Sequence, residues 1–168
     1  MQRHSIALAV VTTAILVVAC GSDTTVPVSN TVTLKATMTG SGEATPNAST
    51  ATGTFTATLD TSTNVFTYDL TFTGLTAAAS SGHIHGPGTV GVSAGVILSF
   101  SGLPSANFSS GVTAGTGHGV TTLNAANQFT AGVNGDSLKK LLLAGLSYTN
   151  IHTSQYPPGE IRGQITKQ

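Results

Sequence analysis

The chain has 168 residues, only 7% of them charged, with six basic residues balanced by six acidic ones. That balance leaves no basic stripe for nucleic acid or for an anionic membrane surface, and the plentiful, regularly spaced apolar residues argue against disorder. A single cysteine excludes a disulfide within the chain.

In chain order, the first expected element is an export signal. Arg3 is the only charged residue before Asp23, and Ser5 to Ala19 is uncharged and rich in Ala, Val, Leu and Ile. A short positive segment followed by an apolar one is the layout of a secretory signal. As a transmembrane helix it falls short of the roughly 18–20 apolar residues needed to span hydrocarbon. Val17-Val18-Ala19-Cys20 resembles a lipobox. This predicts removal of residues 1–19, diacylation of Cys20, and attachment to a membrane through that lipid. The implied location is extracytoplasmic, on a bacterial membrane, in the periplasm or at the cell surface. Residues 20–31 then read as the lipidated cysteine and a flexible polar tether containing Pro27.

Residues 32–168 suit one domain. Abundant threonine favours pleated strands, and 20 glycines supply turns. Strand-like alternation is predicted for Val32, Leu34, Ala36 and Met38, then for Phe55, Ala57 and Leu59. After a turn at Asp60 to Asn64, Phe66, Tyr68, Leu70 and Phe72 mark the clearest inward face, ended by Gly74. A loop leads to His83 and His85, and Val96 to Phe100 reads as another strand. Residues 101–119, rich in Gly, Ser and Ala, predict a long loop or irregular edge, with a short strand at Thr121 to Leu123. Asp136 to Ala144 reads as a short helix with Asp136 as N-cap and Gly145 as its stop. Tyr148 to His152 and Glu160 to Thr166 are the last strands, joined by a Pro157-Pro158-Gly159 turn. The expected fold is all-β: an antiparallel, Greek-key-like β-sandwich of about 7–8 strands, with one short helix near 136–144 covering an end or an edge.

Three histidines stand out. His83 and His85 are two apart, so on a strand they project to one side while Ile84 faces the core. His152 lies two residues after Asn150 near the end of another strand. Were these segments neighbours, His83, His85 and His152 would converge into a site suited to copper or zinc. Glu160 would then be a fourth ligand or would orient an imidazole. The competing reading is structural, with the imidazoles pinning the adjacent turns. Glu160 and Arg162 share a face, as a polar patch beside the histidines or as a network fixing the register of the last hairpin. His118, between two glycines, reads as exposed, and Lys139-Lys140 as the solvated face of the helix. A His-x-His strand also contributes to copper binding in Cu/Zn superoxide dismutase, another β-sandwich; the likeness is one of local pattern, and fold does not confer function.

The run Gly82-His83-Ile84-His85-Gly86-Pro87, then Tyr148-Thr149-Asn150-Ile151-His152-Thr153, then Tyr156 to Ile165 resembles the chordin-domain (CHRD) family. Gly42-Glu43 before Pro46, and the strand around Gly53, fit its N-terminal part. The resemblance covers 32–168 and implies a β-sandwich in an extracytoplasmic setting. It implies little about activity, and the cysteine-rich growth-factor-binding modules that accompany the domain in chordin are absent here.

Enzyme signatures are missing: there is no Gly-x-Ser-x-Gly elbow and no phosphate-cradling glycine motif. The leading expectation is therefore a non-catalytic binding or structural module, its partner an extracytoplasmic protein or a metal ion, and not nucleic acid. The second is a copper- or zinc-binding protein. The third is a metal-dependent redox enzyme, for which three histidines fall short of a two-metal site.

Overall fold

The computed structural model describes residues 30–168 except 127 and 131. The expected signal, Cys20 and the tether up to residue 29 lie outside the described residues. No helix among the described residues is long and apolar enough to cross a membrane.

The first three strands form a meander, β1 (Thr31–Thr39), β2 (Thr52–Asp60) and β3 (Val65–Thr73), paired along nearly their full lengths. Strict alternation places Leu34, Ala36, Met38, Phe55, Ala57, Leu59, Phe66, Tyr68, Leu70 and Phe72 in the core, as their period of two predicts. Each Leu or Phe so buried contributes roughly 1.5–3 kcal/mol relative to leaving it in water. The turn between β2 and β3 is built by Asp60, whose Oδ1 accepts from Ser62 N and Thr63 N, and by Asn64 at φ 60°.

The chain then crosses to a second layer through β4 (Ala79–His85) and β5 (Val96–Ser99), and returns through β6 (Asn107–Phe108) and β7 (Gly115–Thr122). A small hairpin, β8 (Gln128–Thr130) with β9 (Val133–Asn134), precedes helix α1 (Gly135–Leu143). The last strands are β10 (Tyr148–Thr153), β11 (Ile161–Gln164) and β12 (Thr166–Lys167). The main sheet runs β5-β4-β10-β11-β1-β2-β3-β7-β6, antiparallel throughout, and β12 extends the line of β11 along β1. It curls into two layers. Phe100, just after β5, packs on Phe55 and Tyr68 of the opposite half, with ring centroids 6.1 and 4.9 Å away. Backbone bonds from Ala79 N to Val112 O and from Gly111 N to Ala79 O stitch the halves together. The sandwich expected from the sequence is present, divided into more and shorter strands than expected.

Two local expectations change. Residues 101–119 are not one loop, because β7 pairs with β3 from Gly115 to Thr122. Its inward positions are Gly117 and Gly119, and a Cβ at Gly119 would lie 2.6 Å from the Tyr68 ring. The strand lacks hydrophobic alternation because Tyr68 and Leu70 fill the space its own side chains would take. The helix is capped by Asn134, not Asp136: Asn134 Oδ1 accepts from Ser137 N at 3.0 Å. Leu138 and Leu142 face the core, and Gly145 at φ 68° ends the helix. Lys139 is not simply solvated, since its Nζ donates to Thr61 O and Asn64 Oδ1 and ties the helix to the β2–β3 turn.

Candidate functional site

The outer face of β4, β10 and β11 carries the polar residues singled out by sequence. Register places Tyr148 opposite His85, and Asn150 between His83 and Arg162. Ile84, Ile151 and Ile161 point the other way, into the core. Two strands distant in sequence thus bring His83, His85 and His152 together, with one ligand nitrogen of each within 4.8 Å of the others. His118 lies apart on β7, with Nδ1 2.8 Å from Asp69 Oδ1.

Hydrogen bonds determine which nitrogen of each ring is free. Pro157 O, 2.8 Å from His152 Nδ1, can only accept, so Nδ1 carries the hydrogen and Nε2 keeps its lone pair. His83 Nδ1, 3.1 Å from that Nε2, donates to it. Ala94 O accepts from His85 Nδ1 at 2.9 Å, which leaves His85 Nε2 as an acceptor. That nitrogen lies 3.0 Å from Asn150 Oδ1; beside a neutral ring the position belongs to the amide nitrogen, reached by a half-turn of the same group. His85 is further held by Tyr148, stacked at 4.8 Å with an interplanar angle of 2°. The Tyr148 hydroxyl accepts from Ala94 N at 3.0 Å.

All three imidazoles are biased towards the neutral, ligating form. Burial lowers His83 to about 4, helped by His152 and His85 beside it. Burial also lowers His85, helped by His152 and Arg162 and opposed by its bonds to Ala94 and Asn150. His152 falls by burial too, against the Pro157 bond. Neutral histidines whose other nitrogen is tied to a carbonyl are the form that coordinates transition metals. With the His83 hydrogen moved from Nδ1 to Nε2, the two nitrogens that stand 3.1 Å apart would both be free to ligate, at a spacing close to the roughly 3.3 Å between ligands around a tetrahedral ion with Zn–N near 2.0–2.1 Å. A shallow cleft of about 720 Å³, bordered by His83, His152, Ser81 and Pro157, opens the site to solvent on one side.

Glu160 takes no part in this cluster. Its Oε1 accepts from Ser49 Oγ and Thr76 N, both at 2.7 Å, and its Oε2 from Thr76 Oγ1 and Thr153 Oγ1 at 3.0 and 2.7 Å. Burial raises its pKa, but these bonds outweigh burial and hold it below the usual carboxylate value. It is a fully buried hub joining the last hairpin to the loops beside β2 and β3. Arg162 does not pair with it; its guanidinium lies 3.4 Å over the Tyr148 ring and donates to Thr89 O and Val92 O.

Sequence reasoning met Glu43 only as part of a family motif and gave its side chain no role. It is 8% exposed, its Oε1 has no hydrogen-bond partner, and burial raises it to about 7 against the pull of Arg162. The available signal was scarcity: in so uncharged a chain, each of the six carboxylates calls for a reason.

The fold and site together define an all-β sandwich domain bearing a half-buried histidine cluster on one outer face. The chain belongs to the CHRD domain family, whose family model matches residues 34–165. No curated protein and no solved structure matches it.

Proposed function

We propose that this chain is a lipid-anchored extracytoplasmic binding module without catalytic chemistry, and that its ligand is a copper or zinc ion held by His83, His85 and His152. The observation that carries the reading is the approach of three imidazole nitrogens to within 4.8 Å of one another, with the outer nitrogens of His85 and His152 bound to carbonyls. An all-imidazole set suits zinc or copper and not calcium or magnesium, which take oxygen ligands. The open cleft favours exchange of the ion over permanent burial. The lipobox-like Val17-Val18-Ala19-Cys20 supports the anchored, extracytoplasmic part. Asn150 supports His85 from behind, whereas Arg162 and Glu160 hold loops.

The test is titration of the full chain carrying Cys20→Ser, which removes the only thiol, with Cu(II) and Zn(II). Binding tighter than about micromolar is expected, weakened at least about tenfold by His83→Ala, His85→Ala or His152→Ala. Weaker binding, or binding indifferent to all three changes, overturns the reading. A purely structural role for the histidines predicts instead that the triple variant loses its fold.

A further inference from the structure

A divalent ion on three neutral imidazoles would bring two positive charges close to a third, the Arg162 guanidinium, which reaches His85 through the Tyr148 ring between them. One buried guanidinium can be held by carbonyls alone, as Thr89 and Val92 hold Arg162, but each further buried charge of the same sign raises the cost unless a counter-charge is near. Among the described carboxylates, Asp60 is bound in its turn, Asp69 pairs with His118, Asp136 lies in the first turn of the helix, and Glu160 is filled on both oxygens. Glu43 remains.

Its position suits the task. A Cβ on Gly159 would fall 2.2 Å from Glu43 Oε1 and 2.7 Å from Asn150 Nδ2, so glycine there lets the carboxyl and the amide share one small space. Asn150 therefore stands between Glu43 and His85. His85 Nδ1 is committed to Ala94 O, and its Nε2 takes the Asn150 amide hydrogen. The Asn150 carbonyl is then turned towards Glu43, which can donate to it only as a carboxylic acid. Once an ion occupies His85 Nε2, the amide is free to turn and offer its NH2 to a carboxylate.

Resting on the three-histidine reading above, we propose that Glu43 is the counter-ion of the site. It holds a proton while the imidazoles are free and releases it, with a turn of the Asn150 amide, when a divalent cation binds. The balance is one cation taken up, one carboxylic acid converted to carboxylate, and one proton passed to solvent. The charged and titratable groups around Glu43 are Arg162 on β11, Tyr156 in the turn after β10 and, behind Asn150, His85 on β4 and His152 on β10; Glu160, next to Gly159, has both oxygens committed to Ser49, Thr76 and Thr153. A carboxyl that titrates near 7 is poised for this exchange.

The experiment is calorimetric titration of the full Cys20→Ser chain with Zn(II) near pH 6, in two buffers of different ionisation heat. The wild-type residue at 43 is expected to release most of one proton per zinc; Glu43→Gln, which keeps the shape and the donor of the protonated acid, is expected to release almost none. At about pH 8, Glu43→Gln is expected to bind zinc about tenfold more weakly, for want of the negative charge. Infrared difference spectra with Glu43 in place give a second readout that needs no variant to fold: a protonated-carboxyl stretch vanishes on adding zinc. Zinc binding without proton release, equal release from Glu43→Gln, or an unchanged carboxyl band overturns the counter-ion alone. No zinc binding overturns the histidine site as well, and the counter-ion with it.

Discussion

Glu43 and the histidines make opposite contributions to stability as pH changes, and the sign of each follows from its shift. Glu43 titrates at about 7 in the folded chain against 4.5 when exposed. Between those values the folded state holds a proton that the unfolded state has lost, so this group's stabilisation is full below the lower value and declines as pH rises to the upper one. His83 behaves in reverse: it is lowered from 6.5 to about 4, so its stabilisation is lost as pH falls through that interval. His85 and His152 are shifted in the same direction. Replacing Glu43 by Gln removes only the first contribution. The expected result, read from thermal unfolding, is that the stability of Glu43→Gln relative to wild type is about 2–3 kcal/mol more favourable at pH 8 than at pH 4.5. A difference independent of pH would show that Glu43 is not held protonated. The histidine candidates were legible in the sequence because identical side chains two apart share a strand face. Glu43 was not, because its environment comes from Asn150 and Arg162, more than a hundred residues away.

Among the elements, those with a regular apolar period were legible and those stripped of it were not. β1, β2 and β3 announce themselves through alternation that the burial pattern reproduces residue by residue. β7 does not, since its inward positions are glycines that make room for side chains of the neighbouring strand. This accounts for the mistaken loop and supplies a test. Gly119→Ala sets a methyl group 2.6 Å from the Tyr68 ring, whereas Gly95→Ala meets nothing within 4 Å. The first is expected to lower stability by about 1–3 kcal/mol, as overpacking does, and the second to stay within about 0.5 kcal/mol. Equal effects in denaturant unfolding would refute the packing account of β7. The helix teaches the same lesson on a smaller scale: Asn134 and Asp136 are both good caps by type, and only the geometry of the β8–β9 hairpin chooses between them.

The whole molecule joins a sandwich with no disulfide to an N-terminal segment read as a lipid signal. With one cysteine in the chain, cohesion comes from packing, led by the Phe55, Tyr68 and Phe100 cluster, and from buried hydrogen-bond hubs such as Glu160. If Cys20 carries the anchor, Cys20→Ser is expected to move the protein from the membrane to the soluble fraction of its compartment, because the substitution removes the thiol that carries the lipid and with it the buried acyl chains that hold the protein to the bilayer. Unchanged fractionation would remove the anchor from the account.

By itself, the sequence determined the all-β class, the inward faces of the long strands and the family, since alternation and short ordered motifs are local properties written in consecutive residues. Tertiary structure alone decided that β4 and β10 are neighbours, and hence that His83, His85 and His152 meet. It also separated Glu160 from Glu43, burying one carboxylate with all its hydrogen bonds satisfied and the other beside an amide and a guanidinium with an oxygen unpaired. Strand pairing across distant segments and the desolvation of individual charges depend on the packed whole, and no local pattern encodes them.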